Sequence, residues 1–191
     1  MVMNCLAYSL AECEHFLLIM VKFKNILMRP KNHILFFLII MFLISFFELE
    51  GQKIEYIKIP GLEKILNSDE NKLFIVNFWA TWCAPCVSEI PNFENVSKSC
   101  NPDKVRFILV SLDFPSQVEK QLVPFLKKNG ITLNVVVMQD LDYNSWIDKV
   151  DPKWQGDIPA TLFFNNTRKT RYFHSGELTE SDLRKFINSF L

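Results

Sequence analysis

Asn77-Phe78-Trp79-Ala80-Thr81-Trp82-Cys83-Ala84-Pro85-Cys86 is the stretch on which the fold turns. An apolar run, Leu73 to Phe78, leads into it, and a helical pattern from Cys83 to about Ser99 leads out. Two thiols three residues apart at a strand-to-helix joint make a redox-type Cys-x-x-Cys. The thiolate, rather than the thiol, attacks a disulfide. A cysteine in the first turn of a helix sits where unpaired N–H groups and the macrodipole favour negative charge. The Cys83 thiol is therefore expected below the free value of about 8.5. Cys86 follows one turn later on the same face, within reach of a mixed disulfide formed by Cys83. Pro85 suits the first turn, where its missing N–H is not needed. Trp79 and Trp82 are expected to surround the sulfurs with apolar surface and keep water away. Two rival readings are cysteines that merely pack and a zinc knuckle. Zinc asks for four ligands, in pairs at short spacing. Here Cys100 stands alone and His174 lies far along the chain.

The helical pattern after Cys83 carries apolar Val87, Ile90, Phe93 and Val96 at three- and four-residue steps, with Pro91 expected to kink it. Outward from there, Lys53 to Ile59 alternates as an edge strand ending at Pro60-Gly61, and Leu62 to Leu66 reads as a short helix or turn. Leu73 to Phe78 is apolar enough for a strand buried on both faces. Val105 to Leu112 and Thr132 to Met138 are further strands. Gln117 to Asn129 is a helix stopped by Gly130, with Pro124 as a kink, and Tyr143 to Val150 is a short helix. Ala160 to Phe164 and Arg171 to His174 pair across polar Asn165 to Thr170. Thr179 caps a closing helix to Leu191, with Asp182 three residues on. This order predicts an α/β domain over residues 53–191, with a central mixed β-sheet flanked by helices on both faces.

Totals narrow the function classes. A chain of 191 residues with 49% apolar content has enough material for one domain core. Its 21 basic and 21 acidic side chains cancel, so the basic excess that nucleic-acid binding needs is missing. Residues 1–27 read as an upstream mis-annotation or disordered leader. Residues 28–51 read as a signal peptide or signal anchor, with Arg29 and Lys31 before an apolar core at 34–47. That core spans roughly 20 Å as a helix, short of the ~30 Å hydrocarbon layer, which favours a signal peptide over an anchor. Lys22, Lys24, Arg29 and Lys31 precede it, and Glu48 and Glu50 follow, which orients the domain away from the cytoplasm.

Asn77 to Cys86, continued by Val87-Ser88-Glu89-Ile90-Pro91, resembles the active-site segment of the thioredoxin superfamily. More narrowly it is similar to the TlpA/ResA-type thiol–disulfide oxidoreductases of bacterial envelopes. The resemblance covers essentially all of residues 53–191 and is strongest over 76–91 and 156–164. It implies a thioredoxin-like fold and a redox-active Cys83–Cys86 disulfide, with Cys83 as nucleophile and Cys86 as resolving thiol. It also implies that Pro159, in Gly156-Asp157-Ile158-Pro159-Ala160-Thr161, is cis. By spacing alone Pro159 is a strand-start residue and trans. A cis Pro159 beside the dithiol would position substrate, expose the Ile158 backbone to a substrate strand and keep metals off the thiols, with Trp82 also on the substrate side.

Glu89 alone would be a solvated helix acid. By the Cys-x-x-Cys-x-x-Glu-x-Pro resemblance it is a proton relay for Cys86, with a pKa raised by partial burial. Thioredoxin has a buried Asp at the position of Asn77, which cannot titrate. Cys100 reads as a spare thiol, and Asp140, Asp142, Asp148, Asp151 and Asp157 read as a solvated acidic region. The resemblance implies a monomeric reductase of protein disulfides, apocytochrome c among them. Its electrons would come from a membrane thiol-reducing donor, without organic cofactor or metal, and only an uncleaved N-terminal segment would touch the membrane. The alternatives are a copper-handling binding protein, whose relatives carry a Cys-x-x-x-Cys one residue longer, and a thiol peroxidase, whose Thr-x-x-Cys is unmatched here.

Overall fold

The computed structural model describes residues 54–191. The leader expected at 1–27 and the signal segment at 28–51 lie outside the described residues. Six strands, β1 (Glu55–Ile57), β2 (Leu73–Trp79), β3 (Val105–Ser111), β4 (Asn134–Met138), β5 (Ala160–Asn165) and β6 (Thr170–Ser175), form one sheet in the order β1-β4-β3-β2-β5-β6. β1, β4, β3 and β2 run parallel, and β5 and β6 are antiparallel additions. Five α-helices interleave them: α1 (Ile59–Leu66), α2 (Ala84–Ser97), α3 (Val123–Lys128), α4 (Ile147–Val150) and α5 (Glu180–Phe190).

All seven residues of β2 are buried. Because side chains alternate along a strand, that requires cover on both faces. The crossovers β2-α2-β3 and β3-α3-β4 advance the same way across the sheet, so right-handed connections put α2 and α3 on one face. Contacts agree. Asn77 and Trp79 point to that face, where Asn77 meets Glu89 of α2 and the Trp79 ring lies 5.4 Å from Phe125 of α3. Phe163, paired with Ile75 in register, carries the rings of Phe186 and Phe190 from α5 on the same side. The other face holds Phe78 against Trp146 and Trp154, with ring centroids at 5.9 and 4.7 Å. Lys149 of α4 pairs with Glu63 of α1 at 2.9 Å. The expected mixed sheet with helices on both faces is the observed architecture.

Three local expectations need correction. The edge strand is only Glu55–Ile57, and the helix expected from Leu62 already starts at Ile59, with Pro60-Gly61 in its first turn. Proline needs no N–H at that place. The glycine lets the helix approach β1, since a Cβ on Gly61 would lie 3.0 Å from the Ile57 Cβ. Second, the segment before Val123 is not α-helical. A 3-10 turn at Pro115–Gln117 and a wide turn at Val118–Leu122 precede α3, and Val123 N–H donates to the Val118 carbonyl five residues back. Pro124 has no N–H for the Lys120 carbonyl, and the chain accommodates the lost bond by widening just before it. Third, the fourth strand starts at Asn134 rather than Thr132.

The helix ends follow sequence more closely. Gly130, at φ +62°, ends α3, and Ile131 N–H reaches back to the Leu126 carbonyl at 3.0 Å. Thr179 caps α5 with Asp182 as its reciprocal partner. Replacing Thr179 by Ala removes the hydroxyl that accepts Asp182 N–H. The substitution should lower the unfolding free energy by about 1 kcal/mol, read by urea denaturation.

Candidate active site

β2 is followed by Ala80-Thr81-Trp82 and then by Cys83, the N-cap of α2. Cys83 and Cys86 are joined as a disulfide, with Cα atoms 5.3 Å apart. Cys86 N–H donates to Cys83 Sγ at 3.3 Å, so the sulfur occupies the place where a capping oxygen usually sits. Cys86 is fully buried and Cys83 nearly so, with 7% of its surface exposed. The opposite wall comes from the chain leading into β5, which starts beside the end of β2 because Ala160 pairs with Phe78. There Ile158–Pro159 is a cis peptide, as the resemblance implies. The Ile158 carbonyl oxygen lies 3.7 Å from Cys83 Sγ. Cys83, Cys86, Ile158 and Pro159 therefore meet at one point.

Glu89 lies one helical turn past Cys86 and is fully buried, so it is no solvated helix acid. Asn77 Nδ2–H donates to Oε1 at 2.8 Å, and Leu178 N–H donates to Oε2 at 2.7 Å. Burial raises its pKa from 4.5 to about 7 against the lowering effect of those two bonds, and Glu177 adds repulsion. Asn77 also donates to Thr161 Oγ1 at 3.0 Å, which ties β2, α2 and β5 together at this acid.

Trp82 departs from expectation. Trp79 is buried, but Trp82 is 57% exposed, so it does not wall water from the sulfurs. It follows Thr81, which is bonded to Asp113, and stands out beside Cys83. Cys100 lies past the far end of α2, lining a depression of about 340 Å³ with Ser97 and Leu133, away from the dithiol. Burial pushes its thiol pKa up. His174, on β6, packs its ring on Phe186. In the acidic region Asp140 accepts Ile59 N–H at 2.7 Å and Asp151 accepts Lys153 N–H at 2.9 Å, while Asp157 accepts the Ser175 hydroxyl. Among the described residues no group of three or more His, Cys, Asp and Glu side chains could hold a metal ion. Sequence reasoning missed Asp113, fully buried at the end of β3, which binds Thr81. Its only signal was an acid set directly after an apolar strand.

A Cys-x-x-Cys disulfide at a helix start, beside a cis-proline at the entry to the neighbouring strand of a mixed sheet, defines a thioredoxin-like thiol–disulfide oxidoreductase. The chain belongs to the AhpC/TSA family, whose model matches residues 47–173. Among its relatives is the thiol-disulfide oxidoreductase ResA of Geobacillus thermodenitrificans, 26% identical over 133 residues, covering 69% of this chain and 70% of the relative. A thioredoxin of Malassezia sympodialis is 37% identical over 76 residues, covering 37% of this chain and 72% of the relative. A thioredoxin-related protein from Neisseria meningitidis serogroup B has the same fold, with a TM-score of 0.57 at 23% identity. That likeness covers 65% of this chain and 89% of the other.

Glu89 couples the site to stability. Its native pKa of about 7 lies above the unfolded value of 4.5, so the folded protein keeps the proton longer. Stability from this group is full below the unfolded value and falls as pH rises towards 7, by a total on the order of 3 kcal/mol. Urea titrations of the oxidised protein at pH 4 and pH 8 should show this loss. In Glu89→Gln the loss should be largely absent.

Proposed function

We propose that the protein is an extracytoplasmic reductase of protein disulfides, with Cys83 as nucleophile and Cys86 as resolving thiol. The observation that carries the reading is the placement of Cys83 Sγ, at the start of α2, 3.7 Å from the Ile158 carbonyl next to cis-Pro159. In the reduced protein the Cys83 thiolate attacks one sulfur of a substrate disulfide. A mixed disulfide forms and the other substrate sulfur leaves as thiolate. The Cys86 thiol loses its proton and attacks Cys83 Sγ, which releases the second substrate thiolate. Two electrons pass to the substrate, its two sulfurs take up two protons, and the protein is left with the Cys83–Cys86 disulfide present here.

Each neighbour has a role in that cycle. Cys86 is fully buried, so its proton has no direct path to solvent. Glu89, with a pKa of about 7, is matched to taking up that proton near neutral pH. Pro159 shapes the loop so that the Ile158 backbone can pair with an extended substrate segment, and exposed Trp82 offers it apolar surface. Return to the dithiol needs an electron donor, which we assign to a membrane thiol-reducing protein. The substrates are disulfides of envelope proteins, an apocytochrome c among them. Lysine and arginine before the 34–47 apolar segment and glutamate after it support placing the domain outside the cytoplasm.

Cys86→Ser, expressed in full-length form in its native cells, should accumulate mixed disulfides that reductant releases. Cys83→Ser should capture nothing. Equal capture by the two variants, or no reduction of insulin disulfides by the dithiol protein, would overturn the reading. Glu89→Gln should remove the inflection near pH 7 from the resolving step, followed by quenched-flow trapping of the mixed disulfide. An unchanged profile would take Glu89 out of the mechanism.

A further inference from the structure

We propose that Asp113 is a positioning residue for the dithiol: from the end of β3 it clamps Thr81 and so holds the loop that delivers Trp82 and Cys83. The inference rests on the reductase reading for its consequence, though its geometry stands independently.

Register brings the two residues together. β2 and β3 run parallel with Trp79 opposite Ser111, and Leu112 N–H donates to the Trp79 carbonyl at 2.8 Å, one step past the ladder. Two steps past it, Thr81 lies beside Asp113. Three donors converge on that carboxylate. Thr81 N–H is shared between its oxygens at 3.2 Å each, Thr81 Oγ1 reaches Oδ1 at 2.5 Å, and Ser111 Oγ reaches Oδ2 at 2.8 Å. Ser111 Oγ also accepts Asp113 N–H at 3.1 Å, which fixes the acid on its own strand. The Thr81 hydroxyl has one hydrogen, and Gln121 Oε1 stands at 3.5 Å, so Asp113 takes it. Among the described residues no Lys, Arg or His forms an ion pair with Asp113. A buried carboxylate kept without a cation, and facing only donors from a neighbouring loop and its own strand, acts through those donors. Burial raises the pKa of nearby Tyr143, and the Asp113 carboxylate adds to that rise.

The loop needs such a clamp. Between the last ladder residue, Trp79, and the N-cap, Cys83, the chain must leave the sheet and set Cys83 Sγ against Cys86 N–H. Cys83 N–H donates to the Ala80 carbonyl at 3.2 Å, which makes a tight turn with Thr81 and Trp82 at its centre. Thr81 is the one of these two held to the sheet, while Trp82 projects into solvent. With Thr81 released, Cys83 Sγ loses its fixed relation to the helix start, and reactive geometry is sensitive at that scale.

Three full-length variants test the proposal: Asp113→Asn, Thr81→Val and Thr81→Ser. The readouts are the pH midpoint of Cys83 alkylation by iodoacetamide in the reduced protein and the rate of insulin reduction. Asp113→Asn and Thr81→Val should both raise the alkylation midpoint and slow reduction about 10- to 100-fold. Thr81→Ser, which keeps the hydroxyl, should match wild type. A folded Asp113→Asn or Thr81→Val with a wild-type midpoint would overturn the proposal, whatever its melting temperature. So would a lowered midpoint in Asp113→Asn with none in Thr81→Val, because the acid would then act through its charge. If Asp113→Asn does not fold, the Thr81 pair decides alone. Should wild type fail to reduce insulin, the reductase reading falls, and the alkylation midpoints still report on the clamp.

Discussion

Cys86 N–H pointing at Cys83 Sγ across the first turn of α2 is the contact on which the rest depends. A free N–H at a helix start is an orphan donor, and a sulfur placed there is best matched to it as an anion. Everything around the contact holds it in place. β2 is buried on both faces, so it cannot shift, and it ends four residues before the sulfur. The helix that follows is locked to the sheet through Glu89 and, farther along, through Glu94, whose carboxylate accepts the Thr132 and Leu133 N–H groups and the Thr132 hydroxyl ahead of β4.

Two buried carboxylates near this contact do different work. Glu89 sits behind Cys86, bonded by one side-chain amide and one backbone N–H, and burial outweighs both bonds to bring its pKa to about 7. A group balanced there can hold or release a proton at neutral pH at little cost. Asp113 lies on the other side of the loop and receives three donors from Thr81 and Ser111, the arrangement of a group that holds chain in place. The first suits proton traffic at the resolving thiol, and the second suits geometry at the attacking one.

Much of this was legible in one dimension. The Leu73–Phe78 run announced a doubly buried strand, the Cys-x-x-Cys announced the helix start, and Thr179 with Asp182 announced a capped helix, because each signal is local in spacing and residue type. Asp113 was not legible. Its partner lies 32 positions earlier, and only the register of β2 against β3 joins them. Trp82 misled for a related reason: its neighbour Trp79 is in the core, and whether an aromatic at a turn packs or projects depends on elements elsewhere. Pro124 was expected to bend a helix, but the chain met the missing N–H with a wide turn before it.

By itself the sequence determined the order of strands and helices, the dithiol and the helix that begins at it, since periodicity and adjacency along the chain specify these. Only the tertiary structure decided that Glu89 is buried rather than solvated, that the Ile158 carbonyl faces Cys83, and that Asp113 grips Thr81. Each of those depends on residues dozens of positions apart meeting across the sheet, and desolvation and hydrogen-bond geometry exist only once they have met.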